Sequence, residues 1–114
     1  MQRQGADPEN MSAEDFLCDF CLRCWAPQRP MVEGHRGSLV CGECLAEAHR
    51  AVVVRGEGIS VPDPEACALC LMHKDEPHWR STKVEARPVV CRTCIKRSGA
   101  ILEKDPDSGW KRPE

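Results

Sequence analysis

Cys18-Asp19-Phe20-Cys21 … Cys41-Gly42-Glu43-Cys44 is answered later in the same chain by Cys67-Ala68-Leu69-Cys70 … Cys91-Arg92-Thr93-Cys94. In each copy two C-x-x-C pairs flank a gap, of 19 residues in the first and 20 in the second. A C-x-x-C pair holds two thiols on one tight turn, where both can reach a single ion. Two such pairs complete a four-sulfur tetrahedral shell, the donor set of a closed structural zinc site. The spacing predicts a first zinc on Cys18, Cys21, Cys41 and Cys44 and a second on Cys67, Cys70, Cys91 and Cys94. One C-x-x-C alone would be a weak signal; four in register are specific.

The size of the repeats supports the same reading. Each unit is only about 40–45 residues, too small to hold a fold on apolar burial alone. The whole chain of 114 residues has three Trp, two Phe and no Tyr, so metal sites stand in for the missing core. Disulfides, redox thiols or an iron site of rubredoxin type are the competing uses of nine cysteines. The first fifteen residues are polar and mixed in charge, unlike an export signal. No stretch approaches the ~18 apolar residues of a membrane span. With an odd cysteine count, these features lead us to expect a reducing, cytoplasmic setting.

The formal charge of −2 is unevenly shared. Residues 1–65 carry six basic and eleven acidic side chains, residues 66–114 ten basic and seven acidic. Four thiolates around one dication add a further negative balance at each site. An acidic molecule is a poor general binder of phosphate backbones.

Read in order, residues 1–15, with Gly5 and Pro8, form a polar lead expected to be disordered. The first finger covers 16–54. Met31-Val32-Glu33 and Ser38-Leu39-Val40 flank Gly34-His35-Arg36-Gly37 as a β-hairpin whose second strand delivers Cys41. Glu43 to Val54 has Leu45, Ala48, His49 and Val52 on one helical face. Gly56 and Gly58 end it. Residues 55–65 are the linker, long enough to let the repeats touch. The second finger covers 66–104, with candidate strands Trp79-Arg80-Ser81 and Pro88-Val89-Val90 and a helix from Thr93 to Lys104. Gly99 inside that helix costs about 1 kcal/mol against Ala. Residues 105–114 read as a loose tail, with Trp110 either unanchored or docked on the body. The expected fold class is small, zinc-stabilised α+β. It consists of two tandem fingers packed as an internal pseudo-dimer through Leu45, Ala48, Val52, Ile95 and Leu102.

Cys18-Asp19-Phe20-Cys21, Ser38-Leu39-Val40-Cys41-Gly42-Glu43-Cys44 and the following Leu45-Ala46-Glu47 resemble the N-terminal zinc-binding domain of the ClpX unfoldase. The likeness covers residues 18–54 well. It covers 67–103 mainly through cysteine spacing and the closing helix, because Cys91-Arg92-Thr93-Cys94 departs from C-x-E-C. It implies a treble clef: a zinc knuckle, a β-hairpin, and a helix whose first turn supplies the last two ligands. It also implies a dimerising module that recruits adaptors and substrates. The partner would then be another protein, such as a Clp-type protease component, its adaptor or its substrate. No G-x-x-x-x-G-K-[ST] loop is present, so the chain reads as a free-standing double finger.

The remaining candidates carry less. Cys24 fits neither quartet and reads as a spare thiol. His35, His49, His73 and His78 read as surface or helix-face residues, with His73 a possible substitute ligand. No Cys–His–acid set supports nucleophilic catalysis, and four cysteines close the open position that a catalytic zinc needs. Trp79-Arg80 resembles the L-W-R segment of GATA-type fingers and supports an alternative GATA-like or zinc-ribbon role in nucleic-acid binding. A basic tail is missing there, since Lys104-Asp105-Pro106-Asp107 breaks up the charge. A thiol redox protein is the other alternative.

Overall fold

The computed structural model describes residues 1–7 and 9–114; Pro8 of the lead lies outside them. Two hairpins and two helices appear in the order β1 (Met31–Glu33), β2 (Leu39–Cys41), α1 (Gly42–His49), β3 (His78–Arg80), β4 (Val89–Cys91) and α2 (Arg92–Lys104). Both hairpins are antiparallel. Val32 faces Val40 in the first, and Trp79 faces Val90 in the second. Each helix starts directly after its hairpin, with Cys41 or Cys91 as the residue capping its N-terminus. Among the described residues no helix is long and apolar enough to cross a membrane.

The repeat is visible in the backbone. Gly42 N–H donates to Pro30 at 2.9 Å, and Arg92 N–H to Pro77 at 3.0 Å. Asp19 N–H donates to Leu39 at 2.9 Å, and Ala68 N–H to Val89 at 2.8 Å. After His49 the first helix widens into a π-helical turn over Arg50–Val54, which keeps Val52 buried. Gly56, at φ 67°, then takes the chain away in a conformation that glycine adopts without a steric penalty.

Neither repeat has a core of its own. Phe20, Val32, Val40, Leu45, Ala48 and Val52 of the first and Leu69, Val90, Ile95 and Leu102 of the second form one buried cluster. Helices α1 and α2 lie in contact, α2 also packs on β1, and the π-helical turn on β3. The rings of Phe20 and Trp79 meet across the repeats with centroids 5.9 Å apart.

Three segments expected to be loose are held. In the lead, Gln2 pairs with Phe16 and Arg3 N–H donates to Asp15 at 2.7 Å. The Arg3 guanidinium also reaches the buried Asp15 carboxylate at 2.5 Å, and a buried carboxylate needs such a partner. The linker supplies Ile59, which exchanges two backbone hydrogen bonds of 2.9 Å with His78 and so satisfies the outer edge of β3. Tail residue Trp110 docks, its indole N–H donating to the Gly42 carbonyl at 2.8 Å.

Candidate metal centres

Each cluster is assembled by a knuckle and a helix start. In the first knuckle Leu22 N–H donates to the Cys18 carbonyl at 2.8 Å, closing a turn with Leu22 at φ 62°. Leu71 repeats this on Cys67 with the same distance and the same φ. A leucine held in the left-handed region is uncommon, and such strain concentrates at functional positions. Opposite each knuckle, the last residue of β2 or β4 supplies Cys41 or Cys91. The first helical turn supplies Cys44 or Cys94.

The structure gathers Cys18, Cys21, Cys41 and Cys44 into one cluster and Cys67, Cys70, Cys91 and Cys94 into another, the sulfurs of each within 4.8 Å of one another. Seven of the eight are buried and Cys21 is half-buried. The Cys21–Cys41 and Cys70–Cys91 sulfur pairs stand 3.8 and 4.0 Å apart. A tetrahedral ion with sulfur at ~2.3 Å has edges of ~3.8 Å, so each cluster fits one such ion.

Backbone amides are aimed at the sulfurs in matching sets. Cys18 Sγ accepts from Phe20 N–H and Cys41 N–H, both at 3.3 Å. Cys67 Sγ accepts from Leu69 N–H and Cys91 N–H, both at 3.4 Å. Cys41 Sγ accepts from Cys44 N–H at 3.4 Å, and Cys91 Sγ from Cys94 N–H at 3.5 Å. These donors, with the positive ends of α1 and α2, favour thiolates.

Side-chain cations complete the arrangement. Arg23 Nε donates to Cys21 Sγ at 3.4 Å, Lys83 Nζ lies 3.9 Å from Cys44 Sγ, and Arg97 Nη2 is 3.7 Å from Cys94 Sγ. The hydrogen bond to Cys21, reinforced by Glu43, raises the Arg23 pKa. Burial pulls Lys83 down, but Glu47 and the Cys44 sulfur outweigh it and the net shift is upward.

Four sulfurs this close cannot all ionise unaided. Hydrogen bonding to Cys41 pushes Cys18 up to about 12, while Cys41 itself is lowered by its bonds to Cys18 and Cys44. In the second cluster Cys94 is pushed up to about 12 by Cys67, and Cys67 is lowered. A dication removes this conflict by replacing the retained protons.

The other candidates sit elsewhere. Cys24 is half-buried and belongs to neither cluster; its backbone pairs with Leu17. His73 turns its Nδ1 to the Glu65 carbonyl at 2.9 Å, away from any ligand role. His49 and His78 are core residues, 4% and 0% exposed, which corrects the surface reading for His78. His78 is the buried residue of β3, and its Nδ1 lies 2.7 Å from the Glu76 carbonyl. Arg80 is clamped by both Glu65 carboxylate oxygens, at 2.9 and 2.6 Å. The contributions of Ser81 and Lys83 had no sequence signal, because each acts on the other repeat.

Compared with protein-family models, curated proteins and solved structures, the chain matches none.

Proposed function

We propose that the chain is a zinc-stabilised double finger, built as two treble-clef units paired into an internal pseudo-dimer, that binds another protein. Its eight paired cysteines fall in two closed four-sulfur sets, and that observation carries the zinc reading. A closed shell has a structural role and leaves no position for substrate, so we read no catalysis here. The recruitment part rests on the resemblance of residues 18–54 to the ClpX-type domain. It is supported by an apolar hollow of about 400 Å³ lined by Ala13, Phe16, Trp25, Met31, Glu33 and Leu39. Phe16 and Trp25 there are 38% and 40% exposed, and exposed aromatics of this kind mark interaction sites.

Elemental analysis of protein purified under reducing conditions is expected to give two zinc ions per chain. One metal per chain, or iron, would end the zinc reading. For recruitment, a protein retained by the zinc-loaded chain is expected to be lost with Trp25→Ala and after chelation. Retention unaffected by both changes would count against it.

A further inference from the structure

We infer that the first metal site is completed by the second repeat: Ser81 and Lys83, in the loop after β3, are positioning residues for the ion held by Cys18, Cys21, Cys41 and Cys44. This rests on the metal-binding reading above and assigns part of that site to a segment beyond its own finger.

The argument starts from Ser81. It is fully buried, and its hydroxyl donates to the Phe20 carbonyl at 2.5 Å. Phe20 lies between the first pair of cysteines, and its own N–H donates to Cys18 Sγ at 3.3 Å. The hydroxyl therefore pins the peptide that links Phe20 to the ligand Cys21, and with the Phe20 N–H on Cys18 Sγ it holds the backbone between the two cysteines. Two residues on, Lys83 brings its ammonium to 3.9 Å from Cys44 Sγ while Glu47 holds it at 3.1 Å. Four thiolates around a dication leave a net negative charge, which the Lys83 ammonium beside Cys44 offsets. Outer groups of this kind orient ligands and set metal affinity.

The second site draws less from the first repeat. Its knuckle receives one backbone donor, His35 N–H to the Leu69 carbonyl at 2.7 Å. The side-chain cation on its sulfur is its own Arg97, at 3.7 Å from Cys94 Sγ. Gly34 occupies the hairpin position that Ser81 holds in the second repeat. It sits so close to the Leu69 carbonyl that an added Cβ would lie 2.6 Å from the oxygen. The exchange is thus reciprocal in backbone contact but one-sided in side-chain charge and hydroxyl.

The test uses the zinc-loaded 114-residue chain with graded chelator, thiol alkylation and peptide mass spectrometry, which resolve the two cysteine sets. Lys83→Gln and Ser81→Ala are expected to lower the chelator concentration that releases Cys18, Cys21, Cys41 and Cys44 by about tenfold. Release of Cys67, Cys70, Cys91 and Cys94 is expected to stay where it is in the wild type. Lys83→Gln is the safer variant, because the lysine is partly exposed and its loss leaves no cavity. An unshifted first set, or equal shifts in both sets, overturns the inference while leaving the metal sites standing. A wild-type chain with no metal-dependent protection overturns both.

Discussion

Gly99 shows how one residue can be misjudged from its own element. In the middle of α2 a glycine costs about 1 kcal/mol against alanine. Yet a Cβ there would meet Trp110 Cη2 at 3.2 Å, and one at Gly42 would meet Trp110 Cδ1 at 2.9 Å. One glycine from each repeat clears the slot that the indole fills. Gly99→Ala is expected to lower the unfolding midpoint of the wild type but to raise stability by about 1 kcal/mol in a Trp110→Ala background. A stabilising effect in both backgrounds would show that the indole does not use the slot.

At the same scale, His49 is buried with an unpartnered Nδ1. Burial first, then Arg112, Lys96 and Arg92, outweighs Glu103 and holds its pKa below the usual 6.5. The unfolded chain therefore takes up the proton more readily below about pH 6.5, and stability falls as the pH drops through that region. His49→Gln is expected to flatten the slope of stability between pH 6.5 and 5.5 in denaturant titrations at saturating zinc. An unchanged slope would assign the acid sensitivity to the thiolates alone.

Among the elements, α1 carries the most shared packing. Leu45 is fully buried in the cluster that also contains Ile95 and Leu102. Truncating a buried leucine costs about 2–5 kcal/mol. With a common core, Leu45→Ala is expected to lower the unfolding midpoint of both repeats together, read from NMR signals of residues 67–103 as well as 16–54. Signals of the second repeat that keep their wild-type midpoint would make the fingers independent. The hairpins behave alike: the first turn leans on Leu69 and the second on Phe20, so each knuckle is braced by the other repeat's turn.

For the whole molecule, the decisive terms are charge and engagement. Arg80, the residue that suggested a nucleic-acid reader, is held by Glu65 and also donates to the Arg87 carbonyl at 2.7 Å. It is not free to contact phosphate. Arg80→Ala is expected to lower thermal stability, and the wild type is expected to form no sequence-dependent DNA complex at physiological salt. A tight, sequence-specific mobility shift that Arg80→Ala abolishes would reverse this reading.

How far the sequence could be read depended on whether the information was local. The grouping of the eight cysteines into two clusters was legible because C-x-x-C fixes which sulfurs share a turn, and the repeated gap fixes which turns face each other. The helices were legible from the apolar period of Leu45, Ala48 and Val52 in the first repeat and of Ile95 and Leu102 in the second, and the hairpins were placed to within a residue of their strands. The contacts of the lead, linker and tail were not legible, because their polar, Gly- and Pro-containing composition describes only their own solubility. Their anchors are groups elsewhere in the chain: Asp19 and Phe16 for the lead, the open edge of His78 for the linker, and the Gly42–Gly99 slot for Trp110. His78 was misplaced because alternation over three residues is too short to fix which face is buried. The sequence by itself determined the two four-cysteine units and their elements. The shared core of Leu45, Ala48, Val52, Ile95 and Leu102 was expected from the sequence; only the tertiary structure decided that Ser81 and Lys83 of one repeat reach the other's cysteine cluster. Those contacts join residues up to 61 positions apart, and no local pattern records which distant carbonyl a serine will meet.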